Sequence, residues 1–196
     1  MNQPSYTQGR QDKPLLAMTI GQAFDNTVAR FAEREALVVR HQHLRYSWRE
    51  LADSVDLHAR ALMALGLKTG DRLGIWAPNC AQWCIAQFAT ARIGVILVNI
   101  NPAYRTSELE YVLRQSGCQW LICAGQFKTS DYHAMLAELL PGLAHQAPGQ
   151  LSGERLPDLR GLISLDAAPP AGFLPWVALA ERAAQVTAAE YQARQH

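Results

Sequence analysis

The stretch Asp71–Tyr111 reads DRLGIWAPNCAQWCIAQFATARIGVILVNINPAYRTSELEY and decides the fold. Arg72 to Ala77 is a short apolar run that Pro78 stops. Asn79 is placed to cap a helix, since its side-chain oxygen accepts from the first free N–H groups. Cys80 to Ile93 is apolar nearly all round, with Trp83, Ile85, Phe88 and Ile93 on several faces. Such a helix is expected to be heavily buried, and on that expectation Phe88→Ala costs about 3–5 kcal/mol. Gly94 ends it as a residue able to take positive φ. Val95 to Ile100 is β-branched and apolar on both faces, which predicts a central parallel strand. A strand–helix–strand unit this short is expected to cross over right-handed.

Outward toward the N-terminus, Gly66 and Thr69-Gly70 close a preceding helix. That helix starts at Ser47-Trp48-Arg49-Glu50, a capping box, and its expected buried stripe is Leu51, Val55, Leu62 and Leu65. Ala36–Arg40 and Leu44–Ser47 read as a hairpin with His41-Gln42-His43 near the turn. The histidines read as solvated turn residues, because no third ligand lies nearby in sequence. Thr19 caps a helix expected over Ile20–Arg34, with Ile20, Phe24, Val28 and Phe31 at helical spacing. Residues 1–18 read as an extended or mobile leader.

Toward the C-terminus, Asn101-Pro102-Ala103-Tyr104-Arg105 is a rigid loop. Thr106 or Ser107 is then expected to cap a helix through Ser116, with Ser107-x-x-Glu110 as its capping box and Gly117 as its stop. Cys118–Ala124 is a strand and Ser130–Leu140 a helix. Residues 144–160 read as a surface loop, Leu162–Leu165 as a strand, Asp166–Pro175 as a loop and Trp176–Gln195 as an Ala-rich helix. Strands alternate with helices from residue 70 onward. The expected fold is therefore α/β, an open, mostly parallel doubly wound sheet with helices on both faces. Ligands of such sheets bind beyond the carboxyl ends of the strands, where strand order reverses. The loops Ala77–Asn79, Asn99–Thr106 and Ala124–Lys128 are the candidates.

Composition narrows the function classes. Of 196 residues 49% are hydrophobic, enough for a sizeable core, and the formal net charge is +1. Scattered arginines without a basic stripe argue against nucleic acid as a partner. Cys80, Cys84, Cys118 and Cys123 lie inside expected helix and strand without CxxC spacing, so they read as buried small hydrophobes. No apolar run approaches the roughly 20 residues of a membrane span. The polar start MNQPSYTQGR lacks a signal-peptide core, and the expected compartment is the cytoplasm. There is no GxGxxG, GxxxxGK[ST], HExxH or GxSxG. The five tryptophans read as core or rim packing. The Asn101–Arg105 loop is the most site-like feature. Its bland reading is a turn shaped by Asn and Pro, with Tyr104 packed and Arg105 solvated.

An ordered series of motifs goes further: Tyr46-Ser-Trp-Arg-Glu-Leu51, Ala64-Leu-Gly-Leu-Lys-Thr-Gly-Asp-Arg-Leu73, Trp76-Ala-Pro-Asn79, Ala89 to Gly94, Asn101-Pro-Ala-Tyr104 and Glu108-Leu-Glu-Tyr-Val-Leu113. This series, with Gln126-Phe127-Lys128-Thr129 and Arg155-Leu-Pro-Asp-Leu159, resembles the N-terminal part of the adenylate-forming acyl-CoA synthetases, most closely their medium-chain branch. The resemblance covers residues 19–176, a subdomain preceded by the leader and followed by a C-terminal helix at 177–196. It implies a two-step ligase. A carboxylate attacks the α-phosphate of ATP, with Mg²⁺ on the phosphates, giving acyl-AMP and pyrophosphate; the thiol of CoA then displaces AMP.

The family's phosphate loop, adenine-stacking aromatic, ribose aspartate, hinge and C-terminal lysine match no residues here. The chain thus reads as the N-terminal subdomain of a longer ligase, a cloned fragment or a truncated product. No catalytic, cofactor-binding or metal-binding residue is carried over, and on this reading the fragment alone is inactive. ATP, Mg²⁺, CoA and a fatty acid belong to the parent enzyme, and the expected partner is the missing C-terminal portion. Asn101, Tyr104 and Arg105 are the candidate cleft-facing residues. Self-association through the cut surface is expected. The alternative is a non-catalytic acyl- or CoA-binding or regulatory module; an independent nucleotide-binding α/β domain is a third reading.

Overall fold

A computed structural model describes residues 5, 8–10 and 12–195. The leader expectation falls partly outside these; residues 12–18 form no helix or strand and are exposed. Helix α1 (Ile20–Phe31) is capped by Thr19, whose hydroxyl accepts from Gln22 N–H while Gln22 answers from its side chain. It is three residues shorter than expected. Strands β1 (Glu35–Val39) and β2 (Leu44–Ser47) form the antiparallel hairpin, with His43 at φ 55° in its turn. Helix α2 (Trp48–Ala64) starts from the Ser47–Glu50 capping box as read, and Gly66 follows it at φ 85°. Its stripe is deeply buried at Leu51, Val55 and Leu62, while Leu65 is half-buried.

Strand β3 (Arg72–Trp76), helix α3 (Ala81–Arg92) and strand β4 (Ile96–Ile100) form the decisive unit. Helix α4 (Thr106–Ser116) and strand β5 (Trp120–Cys123) follow. A two-residue ribbon, β6 (Gln126–Phe127) and β7 (Ser130–Asp131), leads into helix α5 (Tyr132–Leu139). Strands β8 (Gly161–Ser164) and β9 (Phe173–Pro175) complete the sheet. Helices α6 (Leu179–Ala183) and α7 (Ala188–Arg194) end the described chain.

The main sheet runs β4-β3-β5-β8-β9, with every pairing parallel. Side chains alternate across it. Leu73, Ile75, Trp120, Ile122, Ile163 and Leu174 face one core, which α1, α2, α3, α6 and α7 cover. Trp76, Ile100, Leu121, Cys123, Leu162 and Phe173 face the other, under α4 and α5. The sheet is open and doubly wound, as expected.

Several local expectations are corrected. Among the described residues β4 is an edge strand, paired to β3 alone, and Ile96 is 48% exposed. Its β-branched run reads equally well as a central strand, because composition carries no information about which neighbour is present. Asn79 does not cap α3. The N-cap residue is Cys80, which makes no side-chain capping bond; instead Gln42, in the hairpin turn, accepts from Ala81 N–H at 2.7 Å. Neither Thr106 nor Ser107 caps α4: its N-cap is Arg105, whose N–H donates to Glu108 at 2.7 Å. The 144–160 segment has no helix or strand beyond a short turn at its start, yet Leu151, Leu156 and Leu159 are buried. The stretch 166–175, read as loop, contains β9, whose edge pairing to β8 no local pattern announces. The expected Trp176–Gln195 helix breaks before Thr187, which caps α7 in a box with Glu190. That T-A-A-E signature was available in the sequence.

Phe88 is half-buried, its ring 4.4 Å from Phe24. The expected full-core cost is therefore lowered: Phe88→Ala should lose about 2 kcal/mol in a urea melt, near half the value for complete burial. Buried Ile85, one turn earlier, is the true core position of α3.

His58 on α2 stacks on Trp176 with centroids 4.3 Å apart, and its Nδ1 lies 2.8 Å from Ser54 O. Burial pushes its pKa below 6.5. The unfolded chain then binds a proton that the folded chain refuses, so stability is complete above the ordinary histidine value and falls as pH drops through it. Urea midpoints should decline below pH 6.5 in the native chain and decline less in His58→Gln. Equal slopes in both would remove His58 as the cause.

Candidate functional site

In chain order the main sheet reads 2-1-3-4-5. The order reverses between β3 and β5, and the crevice beyond their carboxyl ends is where an open α/β sheet binds ligands. Segments leaving three strands meet there: Trp76 at the end of β3, Asn101–Arg105 after β4, and Ser130 and Tyr132 beyond β5.

Trp76 and Tyr132 are both fully buried and lie face to face, with centroids 3.4 Å apart and planes 5° from parallel. Trp76 Nε1–H donates to Asn101 O at 3.1 Å, and Tyr132 O–H donates to Pro102 O. Burial raises the Tyr132 hydroxyl to about 12, so it stays protonated and a donor at neutral pH. Tyr132 N–H in turn donates to Gly125 O at 2.9 Å, and Ala124 N–H to Trp76 O at 3.2 Å. A Cβ on Gly125 would stand 2.0 Å from an Asp166 carboxylate oxygen, so any larger residue there must turn the exposed Asp166 side chain aside.

The three expected site residues share this loop. Asn101 is exposed and folds its side chain back on its own turn, accepting from Ala103 N–H at 2.9 Å, and so shapes the turn. Tyr104 is half-buried on the α4/α5 core and borders a shallow cleft of about 420 Å³ with Glu108 and Tyr111. Arg105 is exposed but not simply solvated, since its Nη1 donates to Ser130 Oγ at 2.7 Å. Sequence reading missed Trp76, Ser130 and Tyr132. Only the position of Trp76 at a strand's carboxyl end hinted at a role.

Two further groups of side chains carry nucleophiles. His133 Nε2 lies 2.9 Å from Ser164 Oγ, which also accepts from Asp166 N–H at 3.1 Å. Ser164 is 0% exposed, so no substrate reaches it; the pair ties β8 to α5. Cys118 and Cys123 are buried, as read, and burial pushes both thiols up and away from reactivity. Cys80 and Cys84 are only half-buried. They help line a groove of about 640 Å³ between β1 and α3, whose walls include Leu37, Val39, Trp83 and Phe88, with Asn79 at its edge. Among the described residues no three His, Cys, Asp or Glu side chains converge to hold a metal ion. No helix among them is long and apolar enough to cross a membrane.

Comparison with known proteins bears on this geometry. The chain is 47% identical over 170 residues to mouse "Medium-chain acyl-CoA ligase ACSF2, mitochondrial", a match covering 87% of this chain and 28% of the relative. The human protein of the same name is 46% identical over the same shares. The chain thus spans little more than a quarter of the length of these relatives. The structure superposes on an anthranilate CoA ligase, AuaEII, with a TM-score of 0.67 at 21% identity, over 89% of this chain and 29% of that one. It also superposes on the N-terminal domain of FACL13 from Mycobacterium tuberculosis, with a TM-score of 0.62 at 20% identity, over 87% of this chain and 37% of that one. Those two likenesses show the fold. The family described as "AMP-binding enzyme" matches residues 24–182, from α1 through α6 and across the whole sheet. With that match covering most of the chain, this chain belongs to the AMP-binding enzyme family.

Proposed function

We propose that this chain is the N-terminal α/β subdomain, residues 19–176, of a fatty acid–CoA ligase. The whole enzyme would convert a carboxylate and ATP to acyl-AMP and pyrophosphate, then transfer the acyl group to the thiol of CoA. The observation that carries the reading is the 47% identity to a medium-chain acyl-CoA ligase over nearly the full chain. The residues present do not fit Mg²⁺-ATP: among the described residues no three His, Cys, Asp or Glu side chains converge to hold a metal ion, and the sequence has no glycine-rich phosphate cradle. No catalytic step is therefore assigned to it. Its part is to wall the substrate cleft, with Asn101, Tyr104 and Arg105 on the wall and the remaining portion of the ligase as its partner.

The test is ATP–pyrophosphate exchange with a medium-chain fatty acid. The 196-residue chain alone should show none, and exchange should appear when the chain is extended to the length of its relatives. Exchange by the chain alone would overturn the assignment. The apolar groove between β1 and α3 favours a second reading, a module that binds acyl chains without chemistry. Saturable fatty-acid binding by calorimetry, without ATP binding, would favour it. A cytoplasmic location is part of the proposal. The mouse and human relatives are named as mitochondrial, and fractionation of the native host decides between the compartments. Self-association is likewise proposed; sedimentation as a clean monomer at high concentration would count against it.

A further inference from the structure

We propose that Trp76 and Tyr132 are positioning residues that hold Asn101–Arg105 as a fixed wall instead of a mobile lid. The loop follows an edge strand, where only one neighbour restrains it. Loops in that position are ordinarily among the least stable parts of a domain. Here two successive carbonyls, Asn101 O and Pro102 O, accept side-chain donors from beneath. The donors sit on two rings stacked on each other, one on β3 and one on α5. Neither ring can turn without losing the stack, so the two donors form one rigid platform. Asn101 O also accepts from Tyr104 N–H at 3.0 Å, which carries the restraint into the turn. Arg105 closes the far end on Ser130, two residues before Tyr132. The loop is thereby tied to the carboxyl ends of β3 and β5, the edges of the crevice. Its role as a substrate wall rests on the function proposed above; the restraint itself does not.

Hydrogen exchange on the 196-residue chain tests this. The amides of Ala103 and Tyr104 are bonded to Asn101 within the loop and that of Arg105 to Glu108 at the start of α4, so together they report its opening. Tyr132→Phe removes one donor and keeps the ring stack. It should speed exchange at residues 103–105 by roughly three- to tenfold, the effect of one hydrogen bond, while α2 exchanges as before. Trp76→Phe should do the same through Asn101 O. Unchanged loop exchange in Tyr132→Phe overturns the proposal. So does equal acceleration in α2, which would mean a general loss of stability. A loop that responds in a chain whose extended form shows no pyrophosphate exchange sinks the ligase reading alone. The reverse result sinks the positioning role alone.

Discussion

Trp76→Ala should cost about 3–5 kcal/mol, read as a shift of the urea midpoint at unchanged slope. Trp76 is fully buried, ends β3 and fills the face of the sheet covered by α4 and α5. Truncation removes the largest side chain of this core and leaves a cavity. It also strips Tyr132 of its stacking partner and Asn101 O of a donor. Trp76→Phe should recover most of the stability, because it refills volume, but not the bond to Asn101. A loss below 1 kcal/mol for Trp76→Ala would mean that α4 and α5 rearrange to fill the space, contrary to the packing described.

Arg92→Ala should cost about 3 kcal/mol, the low end for removing one partner of a buried ion pair. Arg92 is 7% exposed and reaches Asp25 on α1, Asp56 on α2 and the Tyr191 hydroxyl on α7. Tyr191 donates in turn to Asp56 at 2.6 Å. Burial and the Asp56 carboxylate raise the Tyr191 hydroxyl to about 12, so it remains a donor. Asp25 and Asp56 keep 54% and 38% of their side-chain surface and can rehydrate, which places the cost at the low end. Arg92→Lys should rescue little, since one ammonium cannot replace the planar fork that serves two carboxylates. The distinguishing readout is local: in Arg92→Ala, proteolysis should cut first around residues 184–195, where α7 loses its anchor. Global melting without early release of α7 would deny that this cluster fastens it.

Both variants lie where the sequence was partly readable. That α3 is a helix and β3 a strand follows from Pro78, Gly94 and the apolar runs between them. That Arg92 would be buried does not follow. A lone arginine in the last turn of a helix reads as a favourable charge at the carboxyl end, and its partners lie 36, 67 and 99 residues away.

The same division runs through the molecule. The sequence by itself determined the features that depend on a few adjacent residues. Thr19 and Ser47 cap because their oxygens and the N3 side chains are three residues apart. Gly66, Gly94 and Gly117 stop elements because each takes positive φ. Alternation of strand and helix from residue 70 then suffices for an α/β sheet, and the ordered motifs suffice for the family. Only the tertiary structure decided which strand is the edge, that Gln42 in place of Asn79 serves the start of α3, that Phe173–Pro175 pairs with β8, and that Trp76 and Tyr132 meet under Pro102. Each of these is a choice of partner across a long stretch of chain, made by which surfaces bury best together. Local spacing cannot encode that choice, because the same Ile-Leu-Val-Asn-Ile suits a covered or a bare edge, and the same tryptophan suits any core.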